Sequence, residues 1–279
     1  MEYPKFNTTK EKFDFLVKNK NSLIAQKKST IKEADSFSYP TILKKDKEAL
    51  KANNPIDASN LDVIKVMVVM NTTNIMDSHE DVHIPGIWTK TLNETKNLFH
   101  LQEHESKFSK IIAEGKNIKA YTKDFAWLEL GFPFEGITQA LIFESEVERK
   151  RNDFMFNQYA NGYVKNHSVG MQYVRLVLCI NDEDYGAEYE AWQKYFPMVA
   201  NKSDAEENGY FWAITEAKLY EGSAVVRGSN YATPTLENNK TQLQLNNEPS
   251  KDTQTDLKDT QKDEPSKQEA LLTNILNKL

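Results

Sequence analysis

The sequence predicts an α+β fold, with a strand-rich core and a few flanking helices, and three observations support this class. Residues 61–70 read LDVIKVMVVM, a β-branched run typical of a largely buried strand. Two more strand patterns cover residues 163–180 and 210–226. Helical patterns precede and interrupt these strands, so the two kinds of element are mixed and the strands form the core.

Residues 1–57 are predicted to be an N-terminal helical extension. Apolar residues recur there at near-helical spacing after a pair of threonine caps, which favours one amphipathic helix, with Phe13, Leu16, Val17, Leu23 and Ile24 on its apolar side. Its lysine-rich face is either solvated or placed against an acidic partner.

The core is predicted to span residues 58–235. Within it, residues 136–162 are expected to form one long helix that ends at Gly162, with Leu141, Phe143, Phe154 and Tyr159 on its apolar side. Residues 181–208 are expected to form a short helix and a polar loop, inserted at the edge of the core.

The chain is predicted to end in a disordered tail. Residues 236–265 are polar, contain the sequence EPSK twice, and are typical of a flexible linker. Residues 266–279 predict an amphipathic helix with an apolar stripe of Leu272, Ile275, Leu276 and Leu279. Such a short helix needs a partner, so it either docks onto another protein or packs back on the core.

Composition limits the classes of function. The chain has 279 residues and a net charge of -6, which does not indicate nucleic-acid binding. Its single cysteine, Cys179, lies in an apolar run and predicts a buried, inert thiol. We expect a soluble intracellular protein without a membrane span or signal sequence, because no stretch is apolar enough for either.

Residues 79–83 read HEDVH, the pattern of zinc metalloproteases. That pattern requires a helix, which places both histidines on one face beside the metal. Pro85 and Gly86 follow His83 closely and disfavour a helix. A polar loop is therefore the simpler interpretation, and a zinc hydrolase is kept as an alternative.

Five motifs follow one another between about residues 61 and 235. They are an acidic turn leading to PGIW, a histidine followed by an acid in HLQEHE, a helix, SVGM on a strand, and EGSAV near the end. In this order they resemble the tailed-phage prohead (capsid maturation) proteases, serine proteases that share a fold with the herpesvirus assemblins. The resemblance implies an assemblin-like β-barrel core and makes HEDVH a structural loop without metal, with His79 and His83 as surface or loop histidines.

The resemblance also implies a catalytic pair, with Ser168 as nucleophile and His104 as general base. A serine hydroxyl needs an imidazole within hydrogen-bond reach, so the two side chains must meet in space. His167 is a poor base for Ser168 because consecutive strand residues point to opposite faces. His100 stays a second candidate, since in a strand it would share a face with His104.

A third group should orient the imidazole. The match to EGSAV nominates Glu221, with Glu216 as an alternative; Asp77 and Asp81 fit the pattern less well. For the oxyanion, the resemblance and the close approach that glycine allows suggest the backbone N–H groups of Val169 and Gly170, and Arg227 is a further candidate.

The expected function is therefore that of a bacteriophage prohead maturation serine endopeptidase, which needs no cofactor. It would cleave segments of scaffold protein and major capsid protein, and itself, inside the procapsid in the host cytoplasm, as a homo-oligomer. A non-catalytic capsid assembly or scaffold protein of the same fold is the main alternative.

Overall fold

The computed structural model of the protein describes residues 4–31 and 55–240. The predictions for the docking helix at 266–279 and for most of the linker lie outside these residues. The linker prediction began too early, because Thr235–Lys240 form a strand that pairs antiparallel with the first strand of the core.

The described residues contain nine strands and six α-helices, and the α+β class is confirmed. The strands are β1 Val63–Thr72, β2 Asp81–His83, β3 Phe99–Gln102, β4 Ile111–Glu114, β5 Ile118–Ala126, β6 Ile137–Glu148, β7 Asn166–Ile180, β8 Tyr210–Val225 and β9 Thr235–Lys240. The helices are α1 Thr9–Lys18, α2 Lys20–Ser29, α3 Thr89–Glu94, α4 Asp153–Ala160, α5 Gly186–Tyr195 and α6 Lys202–Asn208. None of these described helices is long and apolar enough to cross a membrane.

The strands form two open sheets, and no closed barrel forms within the described part of the chain. One sheet has the antiparallel order β5-β6-β1-β9. In the other, β8 pairs along one edge with β7 and along the opposite edge with β2 and β3, and β4 extends beyond β3. The main hydrophobic cluster contains side chains from both sheets, among them Val68, Phe143, Val169 and Ile214.

The predicted long helix over residues 136–162 is wrong in its first half. Residues 137–148 form β6, in which buried Phe143, Ser145 and Val147 alternate with three less buried glutamates. This alternation has the period of a strand, and pairing with both β1 and β5 holds β6 in the middle of its sheet. Only Asp153–Ala160 are helical, and Phe154 is exposed.

The N-terminal segment is two helices where one was predicted, and it packs on the core. The Thr8 side chain caps α1 as expected. Phe13, Leu16 and Leu23 are buried in the main hydrophobic cluster together with strand residues. In the predicted insertion, α5 is the expected helix, and part of the expected loop is α6. Cys179 is buried as predicted, and burial raises the pKa of its thiol.

Candidate active site

The ladder between β7 and β8 places Ser168 beside the EGSAV motif. Ser168 pairs directly with Ser223, and Gly170 pairs with Glu221. Side chains of directly opposed residues in an antiparallel pair lie on the same face of the sheet. Ser168, Glu221 and Ser223 therefore share one face, which we call the site face. His167 and Val169 point to the other face, toward the core.

His104 lies in a tight turn immediately after β3. Glu103 and His104 both adopt left-handed backbone conformations, with φ of 54° and 58°. Two such residues in succession are uncommon outside glycine and store backbone strain. Backbone hydrogen bonds hold the turn, from Glu103 N–H to Ala224 O at 2.9 Å and from Glu105 N–H to Gln102 O at 3.1 Å.

This turn brings the His104 ring onto Glu221. The distance from His104 Nδ1 to Glu221 Oε1 is 2.6 Å. A carboxylate only accepts hydrogen bonds, so Nδ1 carries a proton, and in the neutral ring Nε2 then holds the lone pair. This tautomer is the one that a general base requires.

Ser223 forms hydrogen bonds with both Glu221 and the backbone of His104. Its hydroxyl donates to Glu221 Oε2 at 2.6 Å and accepts from the backbone N–H of His104 at 3.2 Å. One carboxylate thus fixes the ring of His104, and one hydroxyl fixes both that carboxylate and the backbone of His104. Ser223 belongs to the EGSAV motif, but no role was predicted for it from the sequence. Its spacing of two residues from Glu221, which places both side chains on one strand face, was the sequence feature that could have indicated this role.

Gly170 makes room for the Glu221 carboxylate. A Cβ atom at position 170 would lie 2.2 Å from Glu221 Oε1, far inside any ordinary contact distance. The glycine of SVGM is thus required here because the side chain of the neighbouring strand lies across it.

Ser168 is nearly enclosed, with 8% of its surface exposed. The connection from β8 to β9 packs close to it: a Cβ atom on Gly228 would lie 3.7 Å from the Ser168 Cβ. No side chain or backbone group among the described residues forms a hydrogen bond with the Ser168 hydroxyl, including the His104 ring.

The remaining candidates are two residues of β7, one residue beyond β8, and Glu216. Val169 and Gly170 follow Ser168 on β7, and Arg227 is exposed just beyond the end of β8. Glu216 forms ion pairs with Lys90 and Arg175, both at 3.2 Å. Glu221, not Glu216, is the carboxylate that contacts His104.

His100 and His167 belong to a buried chain of hydrogen bonds on the core side. Tyr159 OH lies 3.0 Å from Nε2 of each histidine, His100 Nδ1 lies 3.0 Å from Ser145 Oγ, and His167 Nδ1 lies 3.1 Å from Thr233 O. Burial lowers the pKa of His167 to about 4 and the pKa of His100 well below its ordinary value. Both rings are therefore neutral near pH 7.

The donors and acceptors in this chain of hydrogen bonds follow one direction. A carbonyl only accepts, so His167 Nδ1 donates to Thr233 O, and its Nε2 accepts from Tyr159. Tyr159 then accepts from His100 Nε2, and His100 Nδ1 accepts from Ser145. All four ring nitrogens are satisfied inside the core, so His100 is not available to Ser168. His100 and His104 do not share a strand face as predicted, because β3 ends at Gln102 and the chain turns before His104.

The HEDVH segment forms a turn followed by a strand. Glu80 has a φ of 56°, and Asp81–His83 form β2, which pairs parallel with β8. The helix on which the zinc motif depends is absent from this segment. The described residues also contain no group of three or more His, Cys, Asp or Glu side chains placed to hold a metal ion.

His83 is buried, contrary to its expected place at the surface or in a loop. Its Nδ1 lies 2.8 Å from Asn71 Nδ2 and its Nε2 lies 3.3 Å from Tyr173 OH. The Tyr173 hydroxyl donates to Asp81 Oδ2 at 2.9 Å. These contacts join the segment to β1 and β7.

Lys27 of α2 completes that cluster. Its Nζ lies 2.5 Å from Asp81 Oδ1, and both side chains are buried. A buried carboxylate and ammonium need each other, because either alone would be an uncompensated charge. The pair joins the N-terminal helices to the acidic turn, and nothing in the sequence around Lys27 distinguishes it from the solvated lysines nearby.

Comparison of the chain with protein-family models, with curated proteins and with solved structures gave no significant match.

Proposed function

We propose that the protein is a serine endopeptidase in which Ser168, His104 and Glu221 form the catalytic triad. The observation that carries this proposal is the 2.6 Å contact between His104 Nδ1 and Glu221, on the sheet face that also holds Ser168. A serine, an imidazole held by a carboxylate, and that carboxylate are the groups that acyl transfer requires.

In the proposed mechanism, Ser168 Oγ attacks the carbonyl of the scissile peptide bond. His104 Nε2 takes the hydroxyl proton and later passes it to the leaving amine, while Glu221 stabilises the imidazolium. Water then hydrolyses the acyl-enzyme, with His104 again acting as base. The Ser168 hydroxyl has no hydrogen bond with the described residues, so it can rotate toward His104 when substrate binds.

Backbone N–H groups at Val169 and Gly170 are proposed to stabilise the oxyanion, with Arg227 as a supplementary cation. Arg227 lies two residues beyond the end of β8, on the connection that packs against Ser168 at Gly228.

The proposed setting is procapsid maturation, and it depends on the resemblance to prohead proteases. The substrates would be segments of scaffold protein and major capsid protein, together with the enzyme's own chain, inside a procapsid in the host cytoplasm. We further propose that the enzyme is a homo-oligomer. We also propose that its two open sheets correspond to an assemblin-like core.

The near-complete enclosure of Ser168 favours one alternative, a non-catalytic assembly protein that retains this fold. A fluorophosphonate probe separates the two functions, because it reacts only with an activated serine. We expect labelling of the wild type, no labelling of Ser168→Ala, and strongly reduced labelling of His104→Gln. The matched control is Ser109→Ala, which removes an exposed hydroxyl elsewhere and should label normally.

Intact-mass measurements over time, with and without EDTA, complete the test. Truncation of the wild type but not of Ser168→Ala, unaffected by EDTA, would support the endopeptidase. Absence of both labelling and truncation in the folded wild type would reject it in favour of the assembly protein, and truncation that EDTA stops would favour a metal-dependent hydrolase.

A further inference from the structure

An apolar pocket adjoins the proposed triad. It encloses about 560 Å³, and its walls include Phe99, Leu101, Phe108, Ile111, Tyr220 and Glu221. Glu221 is thus shared between the pocket and the proposed catalytic cluster.

The pocket opens on the site face of the sheet. Leu101 of β3 pairs in parallel with Ser223 of β8, so the two side chains point to the same face. Phe99, two residues earlier on β3, points the same way. The pocket therefore lies on the same sheet face as Ser168 and shares Glu221 with the proposed triad, while the hydrogen-bonded histidines fill the core on the opposite face.

Its walls expose apolar surface that a folded protein ordinarily buries. Phe108 is 88% exposed, and Phe99 and Tyr220 are each more than one third exposed. Three exposed aromatic rings around one depression, with buried Leu101 and Ile111 in the same lining, are typical of a binding surface. A volume of this size accommodates a large side chain with room for adjacent backbone.

We propose that this pocket binds a large apolar side chain of the polypeptide substrate close to the scissile bond. The inference depends on the proposed endopeptidase function and adds its substrate class, peptides with an aromatic or long aliphatic residue near the cleaved bond. Position favours this occupant, because Ser168, Ser223 and Leu101 lie in one row on the site face, and a peptide laid along that row from Ser168 reaches the pocket. A side chain one or a few residues away then reaches Phe108 and Leu101.

A second apolar groove supplies the matched control. It lies on the other side of the His104 turn and includes Phe154, Tyr163 and Val226. Phe154 is 59% exposed, so its replacement removes a comparable exposed ring without touching the pocket.

The test uses the full-length protein and a mixture of peptides from a protein digest, with cleavage sites read by mass spectrometry. A synthetic peptide containing the most frequent sequence is then compared with its alanine analogue at the enriched apolar position. The readout is the ratio of kcat/KM for these two peptides, because a ratio cancels any general loss of activity. The variants are Ser106→Trp, which fills the pocket from its exposed rim, and Phe108→Ala, which removes one wall.

We expect the wild type to prefer the apolar peptide by at least about tenfold, the scale on which apolar pockets discriminate. Ser106→Trp should reduce the ratio to within about twofold of unity, Phe108→Ala should reduce it in part, and Phe154→Ala should leave it unchanged.

The proposal is overturned if cleavage sites show no apolar enrichment at any position, or if the preference survives both pocket variants. A wild type that neither labels at Ser168 nor cleaves any peptide would refute the endopeptidase itself, and this inference with it. Labelling of Ser168 distinguishes that failure from a failure of the pocket alone.

Discussion

Substitution of Gly170 by alanine gives a sharp test of the proposed triad, because it acts on Glu221 from the neighbouring strand. The added Cβ would lie 2.2 Å from Glu221 Oε1 and 3.0 Å from its Cδ. To restore an ordinary contact the carboxylate must move by roughly 1 Å. The bond from Oε1 to His104 Nδ1, now 2.6 Å, would then stretch beyond hydrogen-bond range.

The expected loss of activity can be bracketed. A misplacement of about 1 Å costs about 100-fold, and loss of correct imidazole orientation in a serine protease costs about 10,000-fold. We therefore expect kcat/KM to fall by about 10²- to 10⁴-fold, equivalent to about 2.7–5.4 kcal/mol of transition-state stabilisation. Folding should be preserved, because Gly170 has an ordinary strand backbone that alanine can adopt.

The assay is a double-mutant cycle with Glu221→Ala, read by peptide hydrolysis and by fluorophosphonate labelling of Ser168. Once the Glu221 carboxylate is removed, the alanine at position 170 has nothing to displace, so it should cost no further activity. Wild-type activity in Gly170→Ala, or full additivity of the two losses, would refute the reasoning.

Three further predictions concern positioning, pH and the N-terminal helices. Ser223→Ala removes the hydroxyl that accepts from the His104 backbone, so the labelling rate should fall by about tenfold through a loss of about 1–2 kcal/mol. An unchanged rate and pH profile would show that Ser223 does not position the base. His167 has a pKa of about 4 in the folded protein against an ordinary 6.5, so the unfolded chain binds more protons between these values. Its contribution to stability is complete above pH 6.5 and falls by about 3 kcal/mol as pH drops to 4. Urea unfolding of the wild type and of His167→Gln at several pH values measures this fall. An equal dependence of the unfolding free energy on pH in both proteins would contradict it. Lys27→Met removes the ammonium partner of the buried Asp81 carboxylate and should cost about 3–5 kcal/mol in urea unfolding. The double variant with Asp81→Asn should recover much of that loss, and its failure to do so would argue against a buried ion pair.

Strand patterns were predictable where hydrophobicity and β-branching coincide. β1, β7 and β8 lie where the sequence indicates, because each has a buried apolar face. The sequence of β6 was predicted to be helical because its partly exposed glutamates are compatible with either element. Its pairing with a strand on each side, which is a tertiary contact, determines that this segment is a strand and not a helix.

The residues of the candidate site could be nominated from the sequence, but their geometry could not. The sequence nominates Ser168, His104 and Glu221, and the fold brings the elements that carry them together. Strand parity alone could not place His104, which lies in a turn of two left-handed residues after β3. The proton on His104 Nδ1 likewise depends on a contact between distant segments, and sequence spacing carries no information about it.

The pairing of β7 with β8 skips Tyr220, since Gly170 pairs with Glu221 and Met171 pairs with Leu219. This extra residue is a β-bulge, and it is also a wall of the apolar pocket. Loss or gain of a residue here would reshape the pocket while the pairs on either side, including the one that holds Glu221, keep their partners. Insertions and deletions at this one backbone position would therefore give evolution, or an engineer, a way to alter the proposed binding pocket without rebuilding the proposed catalytic groups.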